Sequence, residues 1–445
     1  MARPLHNALP ALLERALVEI PPGRGVWVGL SGGMDSSLLL MLAAEVCHAR
    51  GKALNALHVN HGLQTDAADF EQHCRALCRR LGVALTVARV VVNAKGKGVE
   101  GAAREARYAA FTEHVPQGDA LWLAQHRTDQ AETWLLAALR GSGVRGLGAM
   151  PPQRDFAGIT LVRPWLEVSH PTLTDEAQAL ERAGKLTWCD DPTNADTYFE
   201  RNYLRHRVLP VLTKRWPHAE RALGAVATHM QDADALLDAY ATDELATLKL
   251  APEQLDAAAL ATRSRARKRL LVRTFCRQRG LATPPARRLE TLLDQLSAAA
   301  DAQVHVTWPG ACARVWRGRL YLFAEERLTN ELLTERGTQS EWRASWDGNA
   351  PLKTPRGDVF IVMLGEAVLP LTATWRRGGE VMRLAGRGRR DLKRLLAEAG
   401  VPPWERNAVI VIWAGESCVA ALKAPNTLLY QAAGWQFEPR HQALC

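Results

Sequence analysis

A chain of 445 residues, 47% hydrophobic and 23% charged, is too long for one ordinary domain and too apolar to stay disordered, so two or three folded domains are expected. Its net charge of +9 favours a polyanionic partner. No run reaches the roughly 18 apolar residues of a membrane span, the segment around Glu14 and Glu19 does not read as a signal peptide, and the eight cysteines form no CxxC pair, which argues against a zinc ribbon or a disulfide frame. The expected compartment is the cytoplasm, with no membrane partner.

In chain order, "VWVGL" from Val26, "ALNALHV" from Ala53, "VALTVARVVV" from Val83 and "ALWLAQH" from Ala120 read as strands. Helical runs start near Ser36, Asp66, Glu100 and Asp129. Strict alternation of strand and helix predicts a doubly wound parallel sheet with its ligand site at the carboxyl ends of the strands. Between the first strand and its helix stands "GLSGGMDSSLLL", Gly29 to Leu40. A glycine-rich turn leading into a helix lets backbone N–H groups converge on an anion, and the missing side chains let phosphate oxygens approach. The loop is not a Walker A sequence, which needs GxxxxGK[ST]. Ser31 and Ser36 supply hydroxyls; the Asp35 carboxylate would repel phosphate unless a divalent ion lay between, so magnesium at Asp35 is implied. Two matches to GxGxxG, at Gly96 and Gly141, are weak signals for a dinucleotide, since the first is set off from its strand and the second follows a helix.

Beyond Trp216 an Ala, Leu and Arg-rich helical stretch runs to about Ala300 and ends in the strand-like "QVHVTWPG" and "RGRLYLF". A charged, irregular stretch near Glu325 to Asp347 follows. The last unit has strand-like runs and a predicted helix, "RRDLKRLLAEAG", stopped by Gly400 and Pro402-Pro403. The expected domains are 1–215, a mainly helical 216–345, and a small α+β unit at 346–445. Two basic clusters fall in the later domains. Arg263 to Arg279 holds eight basic residues and no acid; Arg376 to Arg394 holds eight against Glu380 and Asp391. Each is either a solvated helix face or a footprint for a phosphate backbone, and two in separate regions favour the second.

The ordered set of motifs carries a resemblance. "SGGMDS" resembles the pyrophosphatase loop of N-type ATP-pyrophosphatases, which adopt the adenine nucleotide α-hydrolase-like α/β fold. "HVNHGL" at His58, "REARYAAF" at Arg104, "DQAET" at Asp129, "RGSGVRGL" at Arg140 and "DPTNADTYFERNYLRHRVLP" at Asp191 are similar to the tRNA(Ile)-lysidine synthetase family. So are "ADAQVHVTWPG" and "LKRLLAEAGVPPWERN" in the later domains. The resemblance implies ligation of L-lysine to the wobble cytidine of an isoleucine tRNA with a CAU anticodon, driven by cleavage of ATP to AMP and pyrophosphate.

It also implies roles for residues. Ser31, Gly32, Gly33, Met34, Asp35, Ser36 and His58 would bind ATP, with Asp35, His126 and Asp129 as the catalytic set. Asp129, Glu132, Arg104, Arg107, Arg201 and Arg205 would hold lysine and cytidine. Arg265, Arg267, Lys268, Arg387, Arg389, Arg390 and Lys393 would grip the tRNA. One departure stands out: where the family has two adjacent histidines this chain reads Gln125-His126, and glutamine carries no proton. A tRNA thiolase of the same superfamily is the first alternative, weakened by the absent CxxC. A non-catalytic RNA-binding relative is the second, and a homodimer is left open.

Overall fold

The computed structural model describes residues 8–62, 67–92, 98–298, 302, 304–324, 342–355, 357–364 and 370–439. Leu63 of the "HVNHGL" motif, Gly96 of the first GxGxxG match and residues 325–341 of the charged stretch lie outside the described residues. The chain forms two compact units, Met1–Leu237 and Asp238–Cys445.

The first unit holds a six-stranded sheet. It is built from α1 (Ala8–Val18), β1 (Val26–Gly29), α2 (Met34–Ala49), β2 (Leu54–Asn60), α3 (Ala67–Leu81), β3 (Ala84–Arg89) and α4 (Val99–His114), followed by β4 (Ala120–Trp122), α5 (Arg127–Leu139), α6 (Val144–Leu147), β5 (Gln153–Phe156), β6 (Ile159–Val162) and α7 (His170–Arg182). Strand order is β3-β2-β1-β4-β6-β5. All neighbours pair in parallel except β5, which turns back on β6 as an antiparallel edge; the strict strand–helix alternation expected from sequence does not extend to this hairpin. Val26, Val28, Leu121 and Trp122 are buried because both faces of a parallel sheet are covered. One face packs Leu13, Leu38, Leu42, Trp165 and Leu173 from α1, α2 and the β6–α7 region; the other packs Tyr108 and Phe111 of α4 on Leu57, Leu121 and Leu161. Helices on both faces make the sheet doubly wound. Strand order reverses between β1 and β4, where such sheets open a crevice at their carboxyl ends. The unit closes with α8 (Glu200–Tyr203), a π-turn at Leu204–Val208, α9 (Leu209–Arg215) and the first part of α10 (Ala219–Leu248).

In the second unit, helices including α11 (Ala257–Ala261), α12 (Arg265–Gln278) and α13 (Ala286–Asp294) accompany a five-stranded sheet formed by β7 (Lys249–Ala251), β8 (Gln254–Asp256), β9 (Val304–Trp308), β10 (Ala311–Trp316) and β11 (Arg319–Ala324). Leu271, Val272, Phe275 and Cys276 form the buried stripe of α12. A seven-stranded, mostly antiparallel sheet follows, with Val411, Ile412, Ala420 and Leu422 at its centre. Trp404 packs edge-on against Tyr321, their rings 5.0 Å apart. The helix expected from Arg389 starts later, at Leu392, because Asp391 caps it by accepting from the amides of Lys393 and Arg394. Arg389 and Arg390 lie instead on the strand Gly388–Asp391, paired with Val381–Leu384.

Candidate active site

The turn after β1 is shaped by what a side chain would strike. Gly32 has φ +95°, and a Cβ there would come within 3.1 Å of Phe70 Cδ1 and 3.2 Å of Cys74 Sγ, so only glycine fits. The amide of Cys189 donates to the Gly32 carbonyl at 2.9 Å and pins the turn. Ser36 Oγ accepts from the Ser31 amide at 3.1 Å and lies 2.9 Å from Ser31 Oγ. Gly33 caps α2 without a side-chain hydrogen bond, which leaves the helix's first amides and its positive end to an incoming anion. His58 supports this loop from beneath: its ring is buried and its Nδ1 lies 2.9 Å from the Leu30 carbonyl oxygen. Burial holds its pKa below the ordinary histidine value.

At the end of β4 the chain passes through Gln125 and His126 into α5. His126 is 1% exposed. Its Nδ1 accepts from the Thr128 amide at 3.3 Å, and its own amide donates to Asp129 Oδ2 at 3.0 Å, a reciprocal cap. With Nδ1 accepting, the neutral ring carries its proton on Nε2. That nitrogen faces Asp129 Oδ2 at 3.5 Å and Asp35 Oδ2 at 3.9 Å. One turn along α5, Glu132 is 1% exposed, and Arg205 from the π-turn binds both acids, Nε to Glu132 at 2.6 Å and Nη2 to Asp129 at 2.9 Å. Arg201 donates to Thr133 Oγ1 at 2.8 Å on the same helix. Sequence reasoning missed His170, which opens α7 and packs against His126 with ring centres 4.9 Å apart and the ring planes tilted by 38°. Its Nε2 lies 4.0 Å from Asp35 Oδ1. The Ser-His-Pro start of α7 was the available signal, because a helix following a parallel strand begins at the carboxyl edge of the sheet.

Burial raises the pKa of Asp35, opposed by His126. Burial likewise raises that of Glu132, opposed by Arg205, and lowers those of His126 and His170. Asp35 Oδ1 is buried and has no hydrogen-bond partner among the described residues. An orphaned carboxylate oxygen beside an anion-receiving helix end fits a hard, oxygen-ligated cation such as magnesium. Asp35, His126 and His170 offer ligand atoms within 4.8 Å of one another, but the proton on His126 Nε2 makes Asp35 the better donor for such an ion.

The remaining predicted residues have other partners. Arg104 stands over the Tyr108 ring on α4, one turn before Arg107 on the same helix. On α12 and just before it the basic run is tied to acids: Arg263 and Arg267 to Glu244, Arg265 to Glu290 and Asp294, Arg269 to Glu290, and Arg277 to Asp238. Lys268 donates to the Ala261 carbonyl. In the other cluster Arg387 pairs with Glu398, while Arg389, Arg390 and Lys393 are exposed.

A glycine-rich loop leading into α2 at the β1/β4 switch point defines a nucleotide-binding domain of the PP-loop class, and residues 7–212 match the family described as PP-loop domain. Residues 255–321 match the TilS substrate binding domain and 371–436 the TilS substrate C-terminal domain. The chain is 40% identical over 431 residues to the tRNA(Ile)-lysidine synthase of Alkalilimnicola ehrlichii, covering 94% of this chain and 93% of that protein. It is 40% identical over 434 residues to that of Pseudomonas putida, covering 94% and 97%. The chain belongs to the tRNA(Ile)-lysidine synthase family.

Proposed function

We propose that this chain joins free L-lysine to carbon 2 of the wobble cytidine in the isoleucine tRNA with a CAU anticodon, in the cytoplasm, with release of AMP and pyrophosphate. The carbonyl oxygen at carbon 2 attacks the α-phosphorus of ATP and pyrophosphate leaves. The ε-amine of lysine then adds at carbon 2, loses its proton, and AMP departs. What carries this reading is one juxtaposition: His126 stands between Asp35, at the foot of the anion-receiving helix, and Asp129 on α5.

The unbonded first amides of α2, Met34 to Ser36, and the positive end of that helix receive the phosphates and stabilise charge that grows on them. Asp35 would hold magnesium, which when bound neutralises phosphate charge. Asp129 and Glu132 hold the lysine ammonium, with Arg205 fixing both carboxylates in place. His126 orients Asp129 through its backbone amide and turns its Nε2 proton toward Asp35. Residues 1–215 form the catalytic domain, and 216–345 and 346–445 the domains that grip the tRNA. An AMP-release assay with ATP, lysine and either the isoleucine or the methionine CAU tRNA tests the reading. AMP release and lysine incorporation are expected only with the isoleucine tRNA, and Asp129→Asn should raise the lysine KM far more than the ATP KM. AMP release without lysine incorporation would defeat the proposal.

A further inference from the structure

Buried carboxylates in this chain have guanidinium partners: Glu71 has Arg75 and Arg89, Glu132 has Arg205, and Glu244 has Arg263 and Arg267. Arg163 departs from this pattern. It directly follows β6 and is 3% exposed. Its Nε donates to Gln125 Oε1 and its Nη1 to the Pro151 carbonyl at 2.8 Å, both neutral acceptors. No carboxylate among the described residues pairs with it. The Tyr108 phenol also hydrogen-bonds it, and the charged groups around it, Arg154 and Arg104, are positive. Arg104 sits 4.9 Å above the Tyr108 ring and donates from Nη2 to the phenol oxygen at 3.2 Å. Arg154, on β5, lies 5.8 Å from the same ring.

A buried cation without a counter-charge costs folding free energy unless an anion completes the site. The field of this cage is strong enough to register on its own phenol. Burial alone would raise the Tyr108 pKa, but Arg104, Arg163, Arg107 and Arg154 outweigh it and hold the pKa below the ordinary tyrosine value. Burial also works against the charge on Arg163, so this guanidinium is held where water compensates it poorly.

We propose that Arg163, Arg104 and Arg154, gathered around Tyr108, form a second anion site that receives a backbone phosphate of the RNA next to the target base. The proposal rests on the tRNA reading above and deepens it. The site is separate from the loop at Ser31 to Ser36. Gln125 and His126 are consecutive at the end of β4, yet Gln125 accepts from Arg163, which in turn meets Tyr108 of α4, while His126 faces Asp35 of α2. The cage and the ATP loop therefore flank one strand end, and a base entering between them brings its own backbone phosphates alongside. The cage grades from buried Arg163 to exposed Arg104 and Arg154, an opening suited to a polymer that continues along the surface rather than to an enclosed small molecule. It also gives Gln125 a task. Its oxygen is a permanent acceptor for Arg163, which makes it a positioning residue.

The test measures binding of the isolated CAU anticodon stem-loop RNA, and of a stem-loop of unrelated sequence, across a salt series. Arg154→Gln and Arg163→Gln should each reduce the slope of log affinity against log salt by about one unit on both RNAs, because a phosphate contact carries no sequence preference. Arg163→Lys should restore the slope, and the lysine and ATP KM values should not move. A wild-type slope in Arg154→Gln overturns the proposal. So does a rise in lysine KM with unchanged RNA binding, which would give the cage to the lysine carboxylate. Arg154 is exposed, so its variant decides the matter even where Arg163→Gln fails to fold. Failure of the lysidine reading would appear elsewhere, as wild-type protein that joins no lysine to the tRNA while these slopes still change.

Discussion

Glu132 delivers its buried carboxylate to Arg205 Nε at 2.6 Å, and the same guanidinium reaches Asp129 at 2.9 Å. One cation therefore holds two acids in register on α5. Removing it leaves Glu132, 1% exposed, with only the weaker influence of Arg201, and the acid would then take up a proton. Arg205→Ala should lower stability toward the small end of the roughly 3–5 kcal/mol lost when a buried pair loses one partner, because 34% of the Arg205 side chain remains in solvent. Replacing both members, as Arg205→Met with Glu132→Gln, should recover much of the loss. Denaturant melts of the three variants would check this; a double variant no better than Arg205→Ala would mean that the pair's partners, and not its charge, set the cost.

Asp35 is expected to show opposite effects on stability and activity. Its carboxylate is disfavoured by burial and its Oδ1 lacks a hydrogen-bond partner, so Asp35→Asn should raise the melting temperature while AMP formation falls on the order of 100-fold or more. A variant that loses activity and stability together would place Asp35 in the scaffold.

The Glu71 carboxylate is held far below the ordinary range, at about 2, first by its hydrogen bonds from Arg75 and Asn60 and also by Arg89. A folded-state pKa below the unfolded value contributes stability that is fully present above about 4.5 and is lost as pH falls toward about 2. Glu71→Gln should therefore be less stable than wild type at neutral pH, with the gap closing between about pH 4.5 and 2. A stability gap that stays constant across that window would remove the ion pairs as its cause.

The strand–loop–helix unit at Gly29 to Leu40 was legible because phosphate binding asks for local residue types in a local order. Asp35 and Asp129 were legible for the same reason, each lying in the first turn of a helix that follows a parallel strand. His170 and Arg163 were not. They reach the site from the far side of the β5–β6 hairpin, and nothing near them in sequence marks which neighbours they meet. The α12 run reads as a nucleic-acid footprint because its acids, Asp238, Glu244 and Glu290, arrive from other helices. Charge counted along a chain omits partners supplied by the fold.

That difference separates the two basic clusters experimentally. On α12, Arg265 and Arg267 are committed to Glu290, Asp294 and Glu244, so Arg267→Ala should cost stability by leaving part of the Glu244 carboxylate unpaired, and should change tRNA binding little. In the hairpin Val381–Leu384 and Gly388–Asp391, Arg383 stands directly opposite Arg389 across the strands. Like charges facing each other destabilise a sheet by some tenths of a kcal/mol, a cost that a phosphate lying across both would offset. Arg389→Ala should thus leave the protein equally or slightly more stable, weaken binding of full-length tRNA, and lower the salt slope by about one unit. Paired measurements of melting temperature and salt-dependent affinity on Arg267→Ala and Arg389→Ala check the assignment. Should Arg267→Ala lose the slope while Arg389→Ala keeps it, the ion pairs on α12 open to receive the tRNA and the exposed hairpin is only solvated surface.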